Sequence, residues 1–175
     1  MRLLISLLFF CVSYGAVGEP AEIDWLDLLP EEDYQAMLDM PEIDHAGGDE
    51  TPGNFTNAMR PREGSLPEVM YSKRVVETYD GDAVKIGGYP VPLETSETGD
   101  YTVFFLVPYA GACIHVPPPP PNQIILVEYP QGLAIDDIYV PLWVSGTLHV
   151  DQTSNELADA SYRISAERAW LYDGE

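Results

Sequence analysis

The C-terminal half of the chain alternates apolar and polar residues at the period of a β-strand. In residues 140–150 the apolar positions on one face are Val140, Leu142, Val144, Leu148 and Val150. Side chains two residues apart point to the same face of a strand, so this spacing predicts a half-buried strand. Gly146 interrupts the pattern, which predicts a bend or a bulge at that position.

Further strands follow from the same kind of pattern. Residues 101–107 form a nearly continuous apolar run, which is typical of a strand in the core. The remaining predicted strands cover residues 74–79, 83–93, 123–129, 138–150 and 160–172. The turn sequence Asp80-Gly81-Asp82 predicts a hairpin that joins the first two of these.

This set of five or six strands predicts a mainly β fold. The chain has no glycine-rich phosphate motif and no alternation of strands with helices, which argues against a nucleotide-binding α/β domain. We therefore expect a small antiparallel barrel of the OB type, with a β-sandwich as the alternative.

The N-terminal part of the chain has a different pattern. Residues 22–40 are amphipathic and are broken by Pro30, which predicts two short helices that lay Trp25 and nearby leucines against the main domain. Residues 43–68 are rich in Gly, Pro, Asn and acidic residues, which predicts a linker or long loop. The predicted organisation is therefore a helical segment at 19–42, the linker, and a barrel domain at 69–175.

Residues 1–18 have the features of a secretory signal peptide. Arg2 is followed by a short apolar run, residues 3–12, and then by small residues. That run is shorter than the roughly 20 residues that a membrane-spanning helix needs. No other apolar run is long enough to span, so we expect export to the periplasm, or secretion, from a Gram-negative type of bacterium. Lipid attachment at Cys11 is disfavoured because bulky residues, Leu8-Phe9-Phe10, precede it.

The charge of the chain limits its partners. Eight Lys and Arg residues stand against 29 Asp and Glu residues, a formal net charge of -21. Such a surface repels nucleic acids and anionic lipid headgroups and attracts cations. We therefore expect no nucleic-acid partner and consider metal ions natural ones.

The sequence Gly111-Ala112-Cys113-Ile114-His115, followed by five prolines, holds the most reactive side chains. In an extended segment Cys113 and His115 point to the same side, and thiolate with imidazole is a ligand pair that zinc and copper prefer. Asn122 and Gln123, directly after the prolines, complete the predicted metal site. A structural zinc site has four ligands, so further ligands stay open. The alternatives are an inert buried Cys113 or a reactive thiol.

Several stretches resemble the uncharacterised bacterial family DUF3299. The resemblance is carried by residues 24–30 (DWLDLLP), 89–94 (YPVPLE), 105–123 (FLVPYAGACIHVPPPPPNQ) and 144–148 (VSGTL). The resemblance implies an exported protein associated with metal-responsive systems and ABC-type export machinery. It implies no established activity.

Three functional hypotheses follow. In the first, Cys113, His115, Asn122 and Gln123 bind zinc or copper in an accessory protein of metal homeostasis or transport. In the second, the proline-rich edge and the Trp25 segment dock onto an envelope transport complex without a metal. In the third, Cys113 is the thiol of an enzyme, a hypothesis that we favour less because no orienting third group and no second cysteine can be named.

Overall fold

Strands dominate the structure, a computed structural model that describes residues 18–40, 66–112 and 118–172. The strands are β1 (Ala21–Glu22), β2 (Ala83–Thr95), β3 (Tyr101–Val107), β4 (Ile125–Leu133), β5 (Leu142–Ser154) and β6 (Asp159–Leu171). The helix α1 spans Glu31–Leu38, and short 3-10 helices span Trp25–Leu28, Glu68–Tyr71 and Pro121–Gln123. The predicted signal peptide, apart from residue 18, and residues 43–65 of the predicted linker lie outside the described residues.

Five of the strands close into a barrel. Their order is β2-β3-β4-β6-β5, and β5 pairs back onto β2 while the short β1 adds to the edge of β2. β2 serves both neighbours because it is 13 residues long: its first half pairs with β5 and its second half with β3. The predicted OB-like barrel is therefore confirmed, and the sandwich alternative is wrong.

One pair in the barrel departs from the predicted antiparallel arrangement. β6 lies between β4 and β5, and it runs parallel to β4. The parallel pair follows from closure: β6 turns back on β5 and must then pair with β4 on its other side to complete the barrel.

The side chain of every second strand residue points into the interior of the barrel. Phe104 and Leu106 of β3 are fully buried there. Their partners from the other strands include Val84, Ile86, Ile125, Val127, Leu142, Val144, Leu148, Tyr162 and Ile164. The predicted alternation in β5 is confirmed at its three central positions, whereas Val140 precedes the strand.

Intervening residues of β2 and β3, together with residues next to β3, β4 and β6 and one residue of β6, build a second apolar cluster on the outer face of the barrel. Phe105 and Val107 alternate with the interior residues of β3, so they point outward. We call this set the outer cluster; it comprises Val91, Phe105, Val107, Ala112, Ile124, Ala158 and Ala160. The barrel wall is thus buried on both faces on this side.

Gly146 permits close approach of β6. A Cβ atom at this position would lie 2.2 Å from the carbonyl oxygen of Ser165, far inside van der Waals contact. The register of β5 and β6 shifts between Ser145 and Gly146. The predicted bulge is therefore confirmed.

The predicted strand at residues 74–79 is wrong, and so is the hairpin. The turn at Gly81, which has a φ of 83°, pairs with β5 instead: Gly81 N–H donates to the Leu148 carbonyl, and Leu148 N–H donates to Asp82. The N–H of Val76 donates to the hydroxyl of Tyr162. The β-branched run is therefore irregular at residues 74–77 and continues into a turn at residues 78–81.

Two short helices joined at Pro30 are confirmed at the N-terminus. The indole N–H of Trp25 donates to the Gly87 carbonyl at 2.7 Å, and Leu28 is fully buried. Gly88 leaves room for this contact, since a Cβ there would lie 3.0 Å from the Trp25 ring. In the described part of the chain no helix combines the length and apolar character needed to cross a bilayer.

Candidate functional site

The described residues that flank Cys113 and His115 in sequence are buried on both sides. Ala112, on the N-terminal side, is buried in the outer cluster, and residues 118–120, the described prolines on the C-terminal side, are also buried. Cys113 and His115 themselves lie outside the described residues. Pro118, Pro119 and Pro120, which we call the proline strut, therefore pack against the protein as a stiff, buried segment.

Asn122 lies at the end of this strut, in the 3-10 turn Pro121–Gln123, and is completely buried. Its Nδ2 donates to Oδ2 of Asp33 at 2.7 Å and to the carbonyl oxygen of Arg74 at 3.0 Å. Both partners are hydrogen-bond acceptors, so the amide atom that faces them must be the nitrogen, which donates. The other end, Oδ1, is buried and has no hydrogen-bond partner among the residues that the structure describes.

Asp33 of α1 is the centre of the network that holds Asn122. Its side chain is 0% exposed, and it also accepts hydrogen bonds from the Ser72 hydroxyl at 2.6 Å and from Nε and Nη2 of Arg74. Burial by itself would raise the pKa of Asp33. The hydrogen bonds from Arg74, Ser72 and Asn122, with the positive charge of Arg74, outweigh burial and hold that pKa below its usual range.

Gln123 connects the same turn to the N-terminal helices. Its Nε2 donates to the Trp25 carbonyl at 3.0 Å and to the Asn122 carbonyl at 3.1 Å. The turn, α1 and the segment after Glu68–Tyr71 are therefore held as one unit by side chains far apart in sequence.

The structure thus brings Asn122 and Gln123 together but leaves the complete ligand set a prediction. Their amide nitrogens are used inside the protein, and the atom of Asn122 left for a ligand is Oδ1. Within residues 18–40, 66–112 and 118–172, no three His, Cys, Asp or Glu side chains converge as a metal site would require.

Asp33, Ser72 and Arg74 were not found from the sequence. Asp33 is one of 29 acidic residues and sits in a helix with two other acids in its first turn. Nothing in its local pattern distinguishes it from a solvated carboxylate. Its importance depends on partners 39 to 89 residues away along the chain.

Comparison with known proteins extends the sequence resemblance. A crystal structure of a DUF3299 family protein from Pseudomonas aeruginosa PAO1, at 2.45 Å resolution, is similar to this chain with 40% sequence identity and a TM-score of 0.65. The alignment covers 90% of this chain and 99% of that one. No protein with a curated description matches. The family model for DUF3299, described as a protein of unknown function, matches residues 25–170, and the chain therefore belongs to that family.

Proposed function

We propose that the protein is exported to the periplasm and binds zinc or copper there, as an accessory of metal homeostasis or transport. Cys113 and His115 supply the thiolate and imidazole ligands, with Asn122 and Gln123 at the end of the proline strut. The observation that carries the proposal is the buried Oδ1 of Asn122, an acceptor with no partner among the described residues.

A buried acceptor without a donor lowers stability by roughly 1–3 kcal/mol. Protein interiors therefore seldom contain such an acceptor unless it binds a ligand. The amide cannot relieve this cost by turning over, because Nδ2 is needed by Asp33 and by the Arg74 carbonyl. A cation, or a water molecule held by a cation, satisfies such an oxygen. The chain's net charge of -21 raises the local concentration of cations in support of this role.

The docking hypothesis receives less support. Residues 118–120 are buried, and the indole N–H of Trp25 is directed inward to Gly87. A partner that recognised the proline-rich edge and Trp25 would find these groups already in use.

The test is a zinc titration of the reduced full chain, followed by calorimetry. We expect the double variant Cys113→Ala/His115→Ala to lose about a hundredfold or more in zinc affinity. Loss of a group that only hydrogen-bonds to a metal ligand already costs about 10- to 100-fold, and this variant removes two ligands themselves. His149→Ala is the matched histidine control and keeps the wild-type affinity. Equal affinities of the wild type and the double variant would refute the proposal.

A second pair of variants tests the Asn122 oxygen. Asn122→Ala removes Oδ1 and also the hydrogen bonds from Nδ2 to Asp33 and to the Arg74 carbonyl. Ser72→Ala removes a hydrogen bond to the same carboxylate and leaves Oδ1 in place. We expect Asn122→Ala to weaken zinc binding and Ser72→Ala to leave it unchanged. If both weaken it equally, the Asp33 network matters only for stability and Asn122 is no ligand.

A further inference from the structure

The outer cluster continues into an open groove of about 650 Å³ on the β2-β3-β4 side of the barrel. Four half-buried apolar side chains form its floor: Leu93, Val103, Leu126 and Leu157. The end of the β5–β6 hairpin, residues 153–157, forms one wall. Apolar side chains that stay partly exposed in a groove are typical of a binding surface.

A bulge in β2 brings both Leu93 and Glu94 to this groove. Pro92 pairs with Phe104 and Glu94 pairs with Val103, so Leu93 is an extra residue in its strand. In a β-bulge two consecutive residues oppose one residue of the partner strand, which re-aims their side chains. Leu93 adds to the apolar floor, while Glu94 adds a carboxylate to the rim.

The groove is acidic, and none of the described residues that line it has a cationic side chain. Glu94, Glu128 and Glu156 line it, and Glu128 is the one of the three with an ion pair among the described residues, to Arg163 at 3.1 Å. Glu94 and Glu156 are exposed. A ligand in the groove therefore meets an apolar floor between carboxylates.

Two ligand classes that OB-type barrels are known to bind do not fit this groove. Single-stranded nucleic acid needs cationic groups for its phosphates and aromatic rings for its bases. The lining residues that the structure describes supply neither. OB folds also bind oligosaccharides as a class, but among the residues placed in the structure no aromatic side chain lines this groove. A second copy of a chain with a net charge of -21 is repelled by the same carboxylates.

We propose that this groove binds an extended segment of a partner protein that alternates basic and apolar residues. Alternate side chains of an extended segment point to opposite sides, so its apolar residues reach the floor while flanking Lys or Arg residues reach Glu94 and Glu156. The proposal is independent of metal binding, because none of the lining residues is a predicted metal ligand.

The experiment uses the full chain and a fluorescent peptide that alternates leucine and lysine, with a leucine–glutamate peptide as the charge control. We expect the lysine peptide to bind, the glutamate peptide not to bind, and affinity to fall as salt is added. Absence of binding by the lysine peptide would overturn the proposal.

Matched variants locate the site. Glu94→Gln/Glu156→Gln should weaken binding of the lysine peptide by roughly five- to tenfold at low salt. Glu77→Gln/Glu167→Gln removes the same charge at exposed positions outside the groove and should change affinity by less than about twofold. Leu93→Ala removes an apolar side chain from the floor of the groove and should weaken peptide binding by about tenfold. Urea denaturation of the same variant checks that it is still folded. Equal losses in the two glutamate pairs would mean attraction to the whole acidic surface and would contradict a groove site.

Discussion

The barrel interior and the Asp33 network are both buried, but they are built on different principles. The interior is made of aliphatic and aromatic side chains placed by alternation along β2 to β6. The network surrounds one carboxylate of α1 with three donor residues from two other segments, Ser72 and Arg74 from one and Asn122 from the other. Apolar burial tolerates many neighbours of similar shape, whereas a buried charge needs particular partners, because an unpaired one is expensive. The interior therefore specifies the barrel, and the network specifies how the N-terminal helices sit on it.

Truncation of the interior gives the largest expected effect in this comparison. Phe104 is fully buried, and Phe104→Ala should lower the free energy of unfolding by about 3–5 kcal/mol through lost burial and the remaining cavity. Urea denaturation followed by circular dichroism measures it. A loss below about 1 kcal/mol would contradict the tight interior packing.

Truncation of the network should have a somewhat smaller effect. Asp33→Ala removes the acceptor for Ser72, Arg74 and Asn122, and we expect a loss of about 2–4 kcal/mol in the free energy of unfolding. Arg74 is 56% exposed and is rehydrated in the variant, which limits the loss. Glu32→Ala is the matched control, because it removes a neighbouring carboxylate of α1 that is 79% exposed, and it should change stability by less than about 0.5 kcal/mol. Equal effects of the two substitutions would show that the buried network is no more stabilising than a surface ion pair.

The smallest effect is a pH dependence that separates the two regions. The pKa of Asp33 is held below 3.8 in the folded state. A lowered folded pKa means that the stabilisation is fully present above the unfolded value and is lost as the pH falls through the folded value. The stability advantage of the wild type over Asp33→Asn should therefore be constant near neutral pH and should shrink below pH 3.8.

Urea titrations of both proteins at a series of pH values measure this difference. The other acidic residues titrate in both proteins, so their contributions cancel in the comparison. An interior variant such as Phe104→Ala should keep a constant deficit across the same pH range, because no titratable group is altered. A wild-type advantage over Asp33→Asn that does not change with pH would refute the role assigned to the Asp33 charge.

Particular residues show how far the sequence could predict the site. Asn122 and Gln123 were identified because they follow the proline run, and both are buried in one turn. Asp33, the side-chain partner of Asn122, and Ser72, which donates to the same carboxylate, could not be identified, since hydrogen bonds across 89 and 39 residues leave no local pattern. The failed hairpin at Asp80-Gly81-Asp82 has a similar cause: the turn was recognised correctly, but its backbone bonds to Leu148 of β5.

The sequence by itself determined the strands of the barrel, the two N-terminal helices and the bulge at Gly146. These features depend on side-chain periodicity, on proline and on glycine, whose effects act within a few residues. Only the tertiary structure decided the parallel pairing of β4 with β6, the burial of Asp33 and the groove beside the outer cluster. Those features arise where distant segments meet, and the physical reason is that closure of the barrel, rather than any local preference, chooses which backbone and side-chain groups become neighbours.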